Sequence, residues 1–194
     1  MNKKIKLIIF VIVLLSVVGI VAFCLDSDQK NNGIQKSKEV SAQKSKDLQL
    51  RILSGMIYRH LVGYDLVCKE AGYALQKYPE YFSQKYKNSI QKVNDAWEDK
   101  GTTLEDILIH FDKKIFPTIS QDIKNELIDI ERLTAKYILA HQNNVSVDKI
   151  KWTHDMEDKL NLKDACLLLD DEAAFFLDQS AFDKEFTDRI KELD

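Results

Sequence analysis

Proline and glycine are scarce: the chain of 194 residues has two prolines and six glycines. Tight turns draw heavily on both, so a turn-rich all-β architecture is excluded. Catalytic signatures are missing as well. There is no HExxH, CxxC, GxSxG, P-loop or GxGxxG in the chain, and hence no local pattern for zinc hydrolysis, thiol redox chemistry, a nucleophilic serine or nucleotide binding. Ser-x-x-Lys occurs at Ser27, Ser41, Ser89 and Ser146 without SDN or KTG elements, which in a lysine-rich chain is chance. An apparent calcium loop starting at Asp28 fails because Lys30 and Lys36 stand where oxygen ligands are required. No cofactor or metal is expected.

A basic stripe is also lacking. The formal net charge is −3, from 28 Lys and Arg against 31 Asp and Glu. Nucleic-acid binding relies on concentrated positive charge, so no nucleic-acid partner is expected.

The longest absence is of charge itself. Leu7–Leu25 runs nineteen residues without a charged side chain. At ~1.5 Å per residue a helix of that length spans roughly 28 Å, close to the apolar thickness of a bilayer. Lys3, Lys4 and Lys6 precede it and Asp26 and Asp28 follow it. That asymmetry keeps the N-terminus in the cytoplasm and sends the rest of the chain outward. Residues 1–25 therefore read as a signal anchor, with a cleaved signal peptide as the alternative. A lipoprotein box at Val21–Cys24 fits poorly because Phe23 precedes the cysteine. Each reading places the C-terminal part in a periplasmic or extracellular compartment.

Residues 26–46 are polar and read as a flexible tether. From residue 47 to 194 the pattern is helical throughout. Leu50, Leu53, Ile57, Leu61, Tyr64, Cys68, Ala71 and Leu75 step by three or four, predicting one long helix that ends at Tyr78-Pro79. Phe82, Tyr86, Ile90, Val93 and Trp97 mark a second helix with Gly101 as its cap. Thr102-x-x-Glu105 predicts a capping box for a third, stopped by Pro117. Thr118-x-x-Gln121 opens a fourth that closes near Asn143-Asn144. A shorter helix follows around Ile150, Trp152, Met156 and Leu160, then one capped by Asn161 and running past Cys166 to Phe176. Phe182, Phe186, Ile190 and Leu193 form the last. No segment alternates as a strand does. The expected fold is all-α, a bundle of six or seven amphipathic helices behind the membrane segment.

The chain has three cysteines. Cys68 and Cys166 both lie on apolar stripes, and an oxidising compartment makes them a candidate disulfide rather than two buried thiols. Cys24 belongs to the membrane segment. Residues 145–194 hold seven basic and fourteen acidic side chains. Asp170, Asp171 and Glu172 concentrate this acidity into a candidate surface for a basic partner, set against the plainer reading of a solvated face. Tyr78, Tyr81 and Tyr86 cluster around Pro79 and form a second candidate contact patch, because tyrosine is a common interface anchor. Asn144-Val145-Ser146 is a glycosylation sequon, relevant only in a eukaryotic secretory pathway.

These observations favour a membrane-tethered, exported protein-binding module, including an inhibitor or immunity-type role, with an envelope or extracellular protein as partner. Catalysis is not the favoured reading. A first alternative is an enzyme or small-ligand carrier whose site gathers distant residues among His60, Asp65, His110, Asp112, His154 and Asp155. His141 completes the four histidines and has no neighbour that suggests chemistry. A second alternative is a self-associating structural protein of the envelope.

Overall fold

Most of the apolar stretches at helical spacing fold into helices. In the computed structural model, residues 36–157, 160–178 and 181–193 are described, and among them every regular element is helical. The apolar segment Leu7–Leu25 lies outside the described residues. Among those that are described, no helix is long and apolar enough to cross a membrane.

The first helix, α1, covers Lys36–Tyr58. It begins inside the stretch expected as tether, so the second half of residues 26–46 is helical. A π-helical turn, Arg59–Gly63, carries α1 into α2, Tyr64–Glu70. The expected one-sided stripe is too narrow a description of this segment. Residues 52 to 60 are all buried, making the end of α1 a central helix enclosed on every side. Ser54 fits there because its hydroxyl donates to Leu50 O at 2.8 Å and accepts from Trp97 Nε1 at 2.8 Å. Gly63 lets α6 approach: a Cβ at that position would stand 3.0 Å from Ile123 Cδ1.

The helix expected to reach Tyr78-Pro79 ends earlier, at Glu70. Gly72 takes φ +81°, Gly72 N donates to Lys69 O at 3.0 Å, and Tyr73 N donates to Cys68 O at 2.9 Å. This is a Schellman termination, which favours glycine at its left-handed position. Pro79 then sits in the first turn of α3, Lys77–Lys85, where its missing N–H costs nothing. Tyr86 breaks the expected second helix into α3 and α4, Lys87–Glu98.

Helix α5, Leu104–Lys114, has its capping box one residue later than predicted, on Thr103 and Asp106. The reason is upstream: Thr102 N donates to Trp97 O at 3.2 Å and closes the cap of α4 around Gly101, at φ +77°. Thr103 is left to start α5. The third helix stops at Lys114, just before Pro117, which occupies the first turn of α6, Phe116–Gln142. The helix predicted around Ile150 and Trp152 is instead a 3₁₀ turn, Val147–Lys149, and the four-residue α7, His154–Glu157. Asn161 caps α8, Leu162–Asp171, as predicted, accepting from Lys163 N at 2.9 Å. The chain breaks at Glu172 before α9, Ala173–Asp178, and ends on α10, Ala181–Lys191.

Helices α4, α5 and α10 pack around α1, α3 packs against the π-helical turn, and α6 lies along α8. One hydrophobic cluster joins them, with Leu53, Ile57, Val67, Phe82, Ile123 and Phe186 at its fully buried centre. Cys68 and Cys166 are both fully buried in it and form a disulfide, with Cα atoms 5.7 Å apart.

Candidate functional site: the seam between residues 68–86 and 166–183

The disulfide is the first rung of a longer seam. Tyr73 Oη donates to Asp170 at 3.0 Å, Lys77 Nζ meets Asp171 at 2.5 Å, and Tyr81 Oη donates to Asp178 at 2.9 Å. Lys85 Nζ pairs with both Asp178 and Asp183, at 2.6 and 3.1 Å, and Tyr86 Oη donates to Asp183 at 2.8 Å. The partners advance together along both segments, which therefore run parallel. Three tyrosine–aspartate rungs share one sequence separation of 97, and the disulfide has 98.

This seam corrects the reading of the acidic run. Asp170 is only 1 % exposed and cannot be presented to a partner. Its carboxylate accepts from Tyr73 Oη, from Gln76 N at 3.0 Å and from Tyr78 N at 2.8 Å. It thus caps the start of α3 from a different helix, where the peptide N–H groups have no partner of their own. Asp171 and Glu172 are exposed, and Asp171 is engaged with Lys77. Much of the acidic excess of the C-terminal part is matched internally by Lys77, Lys85 and three phenols.

The aromatic corner is corrected in the same way. Tyr78 and Tyr86 are 2 % and 4 % exposed and belong to the core, whereas Tyr81 is half-buried at the surface. Burial, followed by the hydrogen bond to Asp183, raises the Tyr86 phenol well above its usual pKa. The hydrogen bond from Lys85 holds the Asp178 carboxyl below its usual range.

What remains open is a shallow groove of about 280 Å³ along the seam. Lys77, Glu80, Tyr81 and Gln84 of α3 form one wall; Asp171, Ala173 and Ala174 form the other, above Asp170.

The π-helical turn places two consecutive polar residues in the interior, a local geometry common at functional sites. Arg59 forms a buried ion pair with Glu126 of α6, and its guanidinium lies 5.6 Å from the Tyr64 ring centroid. Burial alone would lower the Arg59 pKa; the Glu126 charge, together with Tyr64 and the hydrogen bonds to both, reverses this and raises it. His60 Nδ1 lies 2.6 Å from Tyr78 Oη, and burial, then the Arg59 charge, lowers its pKa well below the usual value. Neither pair was visible in sequence, because 67 residues separate Arg59 from Glu126.

The residues considered for a dispersed catalytic site are not gathered. Asp65 accepts from Leu75 N and pairs with Lys69, Asp112 accepts from Tyr58 Oη, and His110 and Asp155 are exposed. The His154 side chain lies outside what is described. Among the described residues no group of three His, Cys, Asp or Glu side chains is placed to hold a metal ion.

Replacing Asp170 with alanine strands the buried Tyr78 N–H and removes the acceptor of two part-buried donors, the Gln76 N–H and the Tyr73 phenol. A hydrogen bond to a charged acceptor is worth roughly 1.5–3 kcal/mol, so a loss of at least about 3 kcal/mol is expected, with less for Asp170→Asn. Urea unfolding of the full chain in detergent micelles, followed by circular dichroism, measures it.

Comparison with known proteins adds no relative: no protein-family model, curated protein or solved structure matches this chain. The class defined by its own fold is an all-α, disulfide-stapled helical domain.

Proposed function

We propose that this chain is an exported, membrane-tethered α-helical module that binds another envelope or extracellular protein. The observation that carries this reading is the buried Cys68–Cys166 disulfide downstream of an uncharged nineteen-residue run. Disulfides of this kind persist in oxidising compartments, which is where the flanking lysines would direct the domain.

The contact face in this reading is the groove between α3 and α8–α9. Of the residues singled out in the sequence, Tyr81 and Asp171 line it, and Glu80, Gln84 and Ala174 join them. Both walls are helical, and the disulfide at Cys166 ties α8, which carries Asp171, to α2, which lowers the ordering cost of binding there.

A photo-reactive residue at Gln84 or Ala174 of the full chain, held in its own membranes, tests this. The same partner protein is expected to be cross-linked from both positions and not from His110 on α5. Equal labelling from all three positions, or none from the groove, contradicts the reading.

A further inference from the structure

His60 is buried, whereas His110 and His141 are exposed. Its imidazole is boxed by rings from three other elements. Phe182 of α10 lies 3.9 Å away between centroids, Phe82 of α3 stacks at 5.1 Å, and Tyr64 of α2 stands edge-on at 5.3 Å. The charged and titratable groups around it are few. Its own turn supplies Arg59, paired with Glu126 of α6; α2 supplies Tyr64; α3 supplies Tyr78, bonded to Nδ1. Helix α10 contributes only the apolar Phe182, since Asp183 is turned to Tyr86 and Lys85. Among the described residues no carboxylate bonds the imidazole to receive an imidazolium, and the charge of its chain neighbour Arg59 is positive.

The covering element is built as an arm. Its base, α8, is stapled to α2 at Cys166. Glu172 then leaves the helical conformation, at φ −106° and ψ 28°. Beyond it, Ala173, Leu177, Phe182 and Phe186 bury their side chains, while Asp178 and Asp183 latch to Tyr81, Lys85 and Tyr86. Arg189 Nη1 adds a hydrogen bond to Gln49 Oε1 at 2.8 Å.

We infer that α9 and α10 form an acid-released clasp over the aromatic cage of His60, with Glu172 as hinge and the disulfide holding the base. When the clasp opens, Phe182 leaves the imidazole, water reaches it, and it takes up a proton that the closed state excludes. The open state therefore binds more protons, and the closed state is disfavoured as pH falls below about 6.5, the ordinary histidine pKa. One proton taken up per opening shifts the equilibrium by about tenfold per pH unit. The Lys85 hydrogen bond holds the Asp178 carboxyl below its usual range, so the window from about 6.5 down to 5.5 belongs to His60. Opening bares Phe182, Phe186 and the cage, giving an exported domain a second, apolar face in acid. The clasp does not depend on the identity of any partner.

Amide hydrogen exchange on the full chain in detergent micelles, corrected for intrinsic rates, tests this between pH 7.5 and 5.5. The opening constant of α10 amides is expected to rise about tenfold per pH unit below 6.5, with residues 50–58 of α1 unchanged. His60→Phe keeps the ring packing and is expected to abolish that slope. A flat profile for α10, simultaneous loss of protection in α1, or an unchanged slope in the variant overturns the inference. Should the variant fail to fold, the wild-type His60 ring followed by NMR decides: protonation that coincides with loss of α10 protection supports the clasp, and protonation with α10 still protected, or α10 opening with the ring still neutral, overturns it.

Discussion

Glu126→Ala is expected to destabilise the domain by about 3–5 kcal/mol, the cost of leaving one member of a buried ion pair without its partner. Arg59 is 5 % exposed and Glu126 7 %, so water cannot replace the lost carboxylate. The guanidinium keeps its charge even when buried, because it cannot release its proton in the accessible pH range. It would be left beside the Tyr64 ring and the neutral His60, neither of which neutralises it. Losing both charges should cost far less than losing one. Arg59→Met with Glu126→Leu is therefore expected to recover most of the stability lost in Glu126→Ala. Chemical denaturation of the wild type and the two variants measures both effects; equal losses for the single and double variants would show that shape, not charge, sets the cost.

Replacing both cysteines, Cys68→Ser with Cys166→Ser, is the second large change. The bond closes a loop with a sequence separation of 98. In the chain-entropy model a loop of about 100 residues gives up to ~4.7 kcal/mol, and measured losses for native disulfides run at roughly 2–5 kcal/mol. Two buried hydroxyls add a desolvation cost in a site built for sulfur. The expected outcome is a loss near the top of that range, together with faster amide exchange along the seam, where Asp170 caps α3 only four residues from Cys166. Measured against the reduced wild type, the serine variant should be slightly less stable. If oxidised and reduced wild type unfold at the same denaturant concentration, the staple contributes nothing.

Much of this architecture is legible in the sequence because it rests on local chemistry. Helical periodicity, the Asn161 cap and the termination at Asn143-Asn144 each involve neighbours within a turn or two. The Cys68–Cys166 bond was also legible, since only two cysteines lie beyond the uncharged run Leu7–Leu25. The errors have local causes of another kind. Gly72 and Gly101 are left-handed stops, and a stop reassigns the residues after it: one ended a helix before Pro79, the other moved a capping box from Thr102 to Thr103.

The candidate site was legible only in part. Asp170, Asp171 and Glu172 look equivalent as a sequence run, yet helix geometry turns Asp170 inward and leaves its neighbours outside. Tyr78 and Tyr86 follow the core stripe of Phe82, while Tyr81 falls between. A usable signal was present: once the two cysteines are paired, the offset of 97 links Tyr73 with Asp170, Tyr81 with Asp178 and Tyr86 with Asp183. Arg59 and Glu126 leave no such trace, because each alone resembles an ordinary surface charge on an amphipathic helix.

The account rests on an exported domain closed by its disulfide. Its most direct test is thiol trapping of the full chain in intact cells, followed by denaturation and mass analysis of the Cys68 and Cys166 peptides. The account predicts that both cysteines resist alkylation in denaturant until a reductant is added, and that protease applied outside the cytoplasmic membrane reaches the domain. Free, alkylated Cys68 and Cys166 in a domain shielded from that protease would contradict it.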